Sequence, residues 1–381
     1  MVGQDRTTPR ADANEHQHIG RYIPVWDIGV RLFHWSLVVS VAVSLYTGLW
    51  GKEWQLDIHL YAGYSVAALL LFRLVWFFFG GEFARFEHFP LRPRMVVSYA
   101  RDLIHGKHTH QHLGHNPLGS VWILLALMVL LSMTATGFLL AGGVENQGPL
   151  ASVISYTLGD QFRLIHLWLG YFMLALIPLH LAGVVFESVR EKRNLVASMV
   201  HGKKLTVDYL SPRPVQRVAA LSVIAILSVS IIWGWRTLNA MPASGLVAMP
   251  PNEIFVEECS ACHYHYHPSL LPAASWHLIM ADLEDHFGED ASLDEESVQI
   301  IEDLLLNYAA EKWDTEAANH LRLVNAEDPL RITATQFWQR RHETIDLSVF
   351  EHESVSGKGN CVACHRDAES GRFDDHQIQI P

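Results

Sequence analysis

The chain has 381 residues, enough for two or three domains, and half of them are hydrophobic. Its charge is divided, because residues 1–237 hold 20 Lys and Arg against 14 Asp and Glu, whereas residues 238–381 hold 8 against 26. This division is typical of a membrane module that carries a water-facing domain. It argues against a nucleic-acid-binding protein, because the basic residues lie between apolar runs and form no stripe.

Five apolar runs are long enough to cross a bilayer, which takes about 20 residues. In chain order they cover about 32–50, 58–79, 117–141, 164–186 and 218–235. The polar residues 1–21 lack a cleavage site, so the first run is expected to remain as an anchor. Sixteen Lys and Arg lie ahead of the first run and in the loops 80–116 and 187–217. The loops 51–57 and 142–163 hold one each. The positive-inside rule then predicts a cytoplasmic N-terminus and a periplasmic C-terminal domain.

Four histidines lie inside these runs, where ionisable side chains are costly and usually functional. His166 and His180 are 14 residues apart on the fourth run, which puts both on one helix face, about 21 Å apart along the axis. His59 lies at the depth of His166, and His34 at the depth of His180. The pattern predicts two stacked bis-imidazole sites: His34 with His180 for an inner haem b, and His59 with His166 for an outer haem b. The alternative is that these are isolated polar residues paired with backbone or with each other.

The segments VWDIGVRLFHW, HLYAGYSVAALLLFRLVW and LGHNPLGS, with the His166–His180 spacing, resemble the bacterial cytochrome b561 family. The most similar branch is that of the b-type cytochrome subunits of nickel-iron hydrogenases. The resemblance covers about residues 22–205. It implies a mainly α, four-helix membrane domain that holds two haems b on the four histidines and exchanges electrons with quinone. The fifth helix, within residues 206–237, is expected to be a tether without a cofactor.

Residues 238–252 are rich in Pro and small residues and are expected to form a linker to a C-terminal domain, residues 253–381. All four cysteines of the chain lie in that domain, in two CxxCH motifs. These are Cys259-Ser-Ala-Cys262-His263 and Cys361-Val-Ala-Cys364-His365. Covalent haem c needs this spacing, with two thiols for the vinyl groups and a histidine for the iron. Zinc remains the alternative, although its CxxC pairs are usually 15–20 residues apart and 98 residues separate these.

The segments LLPAASWHLIMADLEDHFGEDASLDE, RITATQFWQRRHETI, NCVACHRDAESGRFDD and IQIP resemble the dihaem cytochrome c family of small periplasmic electron carriers. On that pattern, His286 and His342 match family histidines and are expected to be the distal iron ligands. Which haem each of them serves is left open. His265 and His267 follow the proximal histidine too closely to reach the opposite face of the macrocycle, so neither is expected to be a ligand.

Together these features predict a membrane electron-transfer cytochrome with two haems b and two covalent haems c, in the bacterial inner membrane. It would connect the quinone pool to a periplasmic soluble redox protein, most simply by oxidising quinol. Enzymatic status is left open, with quinol:cytochrome c oxidoreductase as the candidate activity and no catalytic side chain assigned. Further membrane subunits or a second copy of the chain are candidate partners. An acidic C-terminal domain favours partners with a basic patch.

Three alternatives stay open. Electrons could flow the other way, with the chain as the quinone-reducing anchor subunit of a periplasmic dehydrogenase or hydrogenase. A b-type cytochrome of this kind could instead oxidise superoxide. A metal-binding or sensory membrane protein would hold zinc at the cysteines.

Overall fold

The computed structural model describes residues 21–107, 112–206 and 211–381. The predicted polar tail, 1–21, therefore lies outside the described residues except for Arg21. The helices of the membrane half are α1 (Ile28–Trp50), α2 (Leu56–Phe79), α3 (Pro93–Ile104), α4 (Pro117–Gly143), α5 (Tyr156–Gln161), α6 (Arg163–Arg190), α7 (Leu195–His201) and α8 (Arg217–Asn239). Five of them, α1, α2, α4, α6 and α8, lie in segments that are long and apolar enough to cross a membrane.

All five of these helices extend past the predicted apolar runs. At the start of α1 and at the end of α6, polar side chains find partners in other segments of the chain. α1 begins at Ile28 and not at 32, since Asp27 precedes it and accepts a hydrogen bond from the Val30 amide (3.0 Å). α6 continues to Arg190 and not to 186. Glu187 in its last turn accepts from the Tyr99 hydroxyl (2.6 Å) and pairs with Arg190 (2.8 Å).

The described residues form two compact units. The first contains residues up to Leu32, Val75–Val121 and Ala182–Ala220. Its small sheet pairs β1 (Arg21–Pro24) with β2 (Lys203–Thr206) in antiparallel register. Asp27 holds this unit together at the start of α1, where its carboxylate accepts from the Trp76 indole (2.9 Å) and from the Gly81 amide (3.0 Å).

The second unit contains Phe33–Leu74, Trp122–Leu181 and Leu221–Pro381. Its membrane part has an apolar core to which α1, α2, α4 and α6 all contribute. The buried residues of this core are Leu45, Val66, Val129, Leu130, Met173 and Leu176. Many of the large side chains that point away from it are exposed and apolar, as a lipid-facing surface requires.

The C-terminal part of this unit is built from short helices: α9 (Glu253–Cys259), α10 (Ala273–Ala281), α11 (Glu295–Asn307), α12 (Glu316–Leu321), α13 (Gln336–His342) and α14 (Leu347–Glu351). Its largest core lies where α9, α10 and α11 meet. The buried residues there include Phe255, Leu271, Trp276, Ile279, Ile301 and Leu305. The predicted class, a mainly α membrane bundle with a small helical cytochrome-like domain, is confirmed.

Ile301 tests the position of this C-terminal core, because its side chain is fully buried on α11. Ile301→Ala leaves a cavity and is expected to lower the free energy of unfolding of the C-terminal domain by about 2–5 kcal/mol. Pulsed proteolysis of the full-length protein across urea concentrations measures this loss. Gln299→Ala, on the exposed side of the same helix, is the control and is expected to change it by less than about 0.5 kcal/mol. Equal effects of the two variants would contradict the described core.

Candidate functional site

His59 on α2 and His166 on α6 face each other across the membrane part of the second unit. Their ring centroids are 6.1 Å apart, with an angle of 75° between the planes. An imidazole nitrogen binds a metal at about 2.0–2.1 Å, so two rings on opposite sides of one metal ion have centroids about 6 Å apart. The structure therefore brings together the predicted outer pair at the separation that a shared iron requires.

Hydrogen bonds fix the tautomer of both rings. Nδ1 of His59 lies 3.1 Å from the Ser44 carbonyl oxygen, which can only accept, so this nitrogen carries the proton. The Thr47 hydroxyl, 3.1 Å from the same nitrogen, donates its own proton to the Val43 carbonyl (2.7 Å). The unprotonated Nε2 of His59 is left to bind a metal.

His166 is held in the same way from α4. Its Nδ1 lies 2.9 Å from the Thr136 hydroxyl. That hydroxyl donates to the Ser132 carbonyl (2.9 Å), so it accepts from the ring. Sequence reasoning missed Thr47 and Thr136, although both could have been found as hydroxyls followed by glycine inside apolar runs.

The glycines that follow these threonines allow the rings to sit close to the neighbouring helix. A Cβ on Gly48 would lie 2.8 Å from Cε1 of His59, and a Cβ on Gly137 would lie 3.3 Å from Cε1 of His166. Each histidine is thus enclosed by a Thr-Gly pair. A larger residue at either glycine would push the ring out of position.

A cavity of about 450 Å³ adjoins the two rings, within the range of roughly 300–1,000 Å³ usual for cofactor sites. We call it the outer cavity. Gly63 and Gly170, which follow the two histidines by one helical turn, line it. A Cβ on Gly63 would meet nothing within 4 Å, and one on Gly170 would meet only Met133, at 4.0 Å. This open space beside the backbone, with two free Nε2 atoms, fits a flat macrocycle.

Charged residues lie at the edge of the outer cavity, where α1, α2 and α6 end. We call this set the charged rim: Lys52, Glu53, Glu145, Arg163 and Asp375. Four of the five come from the membrane half, and Asp375 comes from the end of the C-terminal domain. Cations placed here suit the propionate groups of a haem.

The inner histidines also lie in this unit, with less local support. His34 and His180 are close enough to interact electrostatically. Trp122 stacks on His180, with centroids 4.3 Å apart and planes 21° apart. Nδ1 of His34 is buried and has no hydrogen-bond partner among the described residues. A buried orphan nitrogen of this kind is expected where a ligand completes the site.

The C-terminal domain contains two further histidine pairs. His263 of the first CxxCH motif lies 6.2 Å from His286, and His365 of the second motif lies 6.1 Å from His342, between ring centroids. Both separations match that of the outer membrane pair. The structure thus places His286 beside the first motif and His342 beside the second.

Backbone carbonyls also determine which imidazole nitrogen is protonated in these pairs. Nδ1 of His263 lies 2.7 Å from the Tyr264 carbonyl, and Nδ1 of His342 lies 2.8 Å from the Trp338 carbonyl. Each carbonyl can only accept, so Nδ1 is protonated and Nε2 is free. Trp338 also stacks on His342, with centroids 4.3 Å apart, which fixes the ring plane.

His265 and His267 have other partners. Nδ1 of His265 lies 3.1 Å from the Ser260 hydroxyl. His267 is only 2% exposed, forms a hydrogen bond with the Ser269 hydroxyl (2.8 Å) and lies edge-on to Trp313.

As for the zinc alternative, the described residues contain no group of three or more His, Cys, Asp or Glu arranged to hold a metal ion.

Asp375 of the charged rim has an unusual protonation behaviour. Burial, partly offset by Arg341 and reinforced by Glu53 and Glu316, raises its pKa to about 7. Asp375 therefore binds a proton more tightly in the folded than in the unfolded protein. Its contribution to stability is complete below its ordinary pKa of 3.8 and is lost as the pH rises through the folded value.

Asp375→Asn should remove this dependence. The thermal midpoint of the C-terminal domain, measured in the full-length protein from pH 4 to pH 8, is expected to fall with pH less steeply in the variant than in the parent. Glu353→Gln, at an exposed carboxylate of the same domain, is the control and should retain the parent slope. If the thermal midpoint of Asp375→Asn falls with pH as steeply as that of the parent, Asp375 is not protonated in the folded state.

Comparison with known proteins finds a family match for each of the two parts of the chain. The family model for prokaryotic cytochrome b561 matches residues 25–202, and the model for dihaem cytochrome c matches residues 255–373. Relatives of the membrane half include a "Probable Ni/Fe-hydrogenase B-type cytochrome subunit" of Azotobacter chroococcum mcd 1, 25% identical over 235 residues. That alignment covers 54% of this chain and 97% of the relative. The same description applies to a protein of Rhizobium leguminosarum bv. viciae, 26% identical over 53% of this chain and 97% of the relative.

Two solved structures are similar to about a third of this chain. "Diheme cytochrome c from Rhodobacter sphaeroides" is 40% identical and matches 33% of this chain and 98% of that chain, with a TM-score of 0.29. A dihaem cytochrome type c from Shewanella baltica OS155 is 34% identical and matches 35% and 95%, also with a TM-score of 0.29. The two family resemblances predicted from the sequence are confirmed. The chain is a membrane electron-transfer cytochrome that joins a region of the prokaryotic cytochrome b561 family to a region of the dihaem cytochrome c family.

Proposed function

We propose that the chain passes electrons between the quinone pool and a periplasmic redox protein through two haems b and two haems c, most simply by oxidising quinol. The observation that supports this proposal is a single separation between histidine rings that occurs three times. Three histidine pairs, one in the membrane half and two in the C-terminal domain, have ring centroids 6.1–6.2 Å apart. Haem bound in this way supplies reversible one-electron transfer.

The proposed ligands follow from the pairs. His59 and His166 would hold the outer haem b, and His34 and His180 the inner one. Cys259 and Cys262 would anchor one haem c between His263 and His286. Cys361 and Cys364 would anchor the other between His365 and His342. Two histidine ligands would leave the iron of each haem no open position, which favours electron transfer over oxygen activation.

The charge distribution supports a location in the bacterial inner membrane, with the N-terminus in the cytoplasm and the C-terminal domain in the periplasm. Quinone would then exchange with the membrane half, and a soluble carrier with the C-terminal domain. The acidic balance of residues 238–381 favours a carrier with a basic patch, whose association weakens as salt rises.

Two other functions use the same cofactors. The relatives described as hydrogenase b-type cytochrome subunits favour a second candidate, in which the chain takes electrons from a periplasmic hydrogenase or dehydrogenase and reduces quinone. Further subunits would then be partners. A third candidate, superoxide oxidation, requires rapid reduction of the outer haem b by superoxide and gives the C-terminal domain no part.

Haem content tests the ligand assignment. The pyridine haemochrome spectrum of the purified protein is expected to show two haems b and two haems c per chain, with haem stain on the polypeptide in a denaturing gel. His166→Ala removes one ligand of the outer pair, so it should lower haem b to one per chain and leave haem c at two. His105→Ala, at an exposed histidine outside the apolar runs, is the control. Full haem b in His166→Ala would refute the outer assignment.

Reduction kinetics test the direction of flow. Rapid mixing of the full-length protein with a quinol analogue is expected to reduce haem b before haem c. Potentiometric titration should give midpoint potentials that rise from the b to the c centres. Potentials that fall along this path, with slow reduction by quinol, would favour the reverse direction.

A further inference from the structure

We propose that the second CxxCH site, with His342 and His365, is the one that faces the outer cavity, and that Arg341 clamps it there. This inference rests on the proposed electron path and gives its order. The second site receives electrons from the membrane half, and the first site, with His263 and His286, is the terminal one. Arg341 is a positioning residue, because it acts through the placement of its neighbour His342.

The first link between the charged rim and the second site is made by α13. Arg341, next to His342, forms an ion pair with Glu53, which lies in the turn between α1 and α2 and belongs to the charged rim. The other side of the guanidinium pairs with Glu316 at 2.6 Å. Glu316 also pairs with Arg163 of α6, at 3.1 Å. Ion pairs that share partners and are half-buried are worth more than isolated surface pairs.

Glu53 also lines the outer cavity that contains His59 and His166. Its ion pair with Arg341 therefore joins that cavity to the last turn of α13, where His342 lies.

The second link runs through the C-terminal segment. The turn 375–377 packs against the turn 53–55, and Asp375 lines the outer cavity. Two residues further on, the Gln379 amide donates to the Cys364 carbonyl (2.8 Å), and Ile378 bridges to His365. The segment thus connects the rim directly to the second haem-binding motif, independently of α13.

The first site has no comparable link. Cys262 and His263 are exposed, and the ring neighbours of the pair are Tyr266 and Phe287 of the C-terminal domain itself. Within the described ranges, no hydrogen bond or ion pair joins residues 253–265 or 282–292 to the outer loops 51–56 and 142–163. Electron transfer slows steeply with distance, so the site held at the rim is the one that accepts electrons from the membrane half.

Cross-linking tests this placement without any electron transfer. A protease site inserted between Pro250 and Pro251 allows the C-terminal domain to be separated from the membrane half on a denaturing gel. The pair Glu53→Cys with Arg341→Cys, treated with a short bis-maleimide, is expected to keep the fragments together after cleavage. The matched pair Glu53→Cys with Glu284→Cys, beside His286, is expected to release the C-terminal fragment. Cross-linking of the second pair and not of the first would overturn the proposal.

Selective removal of each anchor tests the order in the loaded protein. Cys361→Ala with Cys364→Ala is expected to abolish reduction of the remaining haem c by quinol, whereas dithionite still reduces it. Cys259→Ala with Cys262→Ala should leave reduction of the remaining haem c by quinol intact. The opposite asymmetry would overturn the order. If neither variant nor the parent is reduced by quinol, while the cross-links form as expected, the proposed quinol oxidation fails and the placement stands.

Arg341→Ala tests whether this one side chain positions the second site. It should slow reduction of haem c without changing reduction of haem b or the haem content, because it loosens the placement and touches no ligand. Arg340→Ala, at the exposed neighbour on the same helix, should leave both rates unchanged. Equal behaviour of the two variants would show that Arg341 does not position the site.

Discussion

An imidazole placed among apolar helices is costly unless its ring nitrogens are satisfied, and this requirement organises the outer histidine pair of the membrane half. Leaving a polar group without a partner in such surroundings costs several kcal/mol. For His59 and His166, carbonyl or hydroxyl groups of the neighbouring helix take the Nδ1 proton. Nε2 is then the nitrogen that needs a partner, and it faces a cavity of cofactor size. The same satisfied Nδ1 recurs at His263 and His342, where water is closer and the requirement is weaker.

Much of this arrangement could be predicted from local patterns. The five apolar runs and the spacing of His166 and His180 depend only on helix geometry. Each CxxCH motif is complete within five consecutive residues. The helix ends at Ile28 and Arg190 could not be predicted from apolarity, because Asp27 and Glu187 are satisfied by residues far away in the chain, such as Trp76 and Tyr99.

Other features depend on long-range packing. Which of His286 and His342 lies beside which CxxCH motif is decided by the path of the chain between residues 263 and 365, and no local pattern indicates it. The pairing of Arg341 with Glu53 joins residues 288 positions apart. The linker is a further case, since its composition of Pro and small residues does not indicate which residues it contacts. In the structure, Ser244 donates to the carbonyls of Ala151 and Ile154, and the Gly245 carbonyl accepts from the Asp314 amide. A Cβ on Gly245 would lie 2.2 Å from the Asn146 side chain, so this close approach requires glycine.

The two Thr-Gly pairs have a consequence for assembly in the membrane. The hairpin of α1 and α2 carries His59 together with Thr47 and Gly48, and α4 and α6 carry His166 together with Thr136 and Gly137. Each pair of helices therefore contains a complete half-site before it meets the other. The inner histidines are divided in the same way, with His34 on α1 and His180 on α6. Because ligand binding stabilises the state that holds the ligand, a cofactor bound between these histidines would join the two pairs of helices, and apolar contacts would not need to drive the association alone.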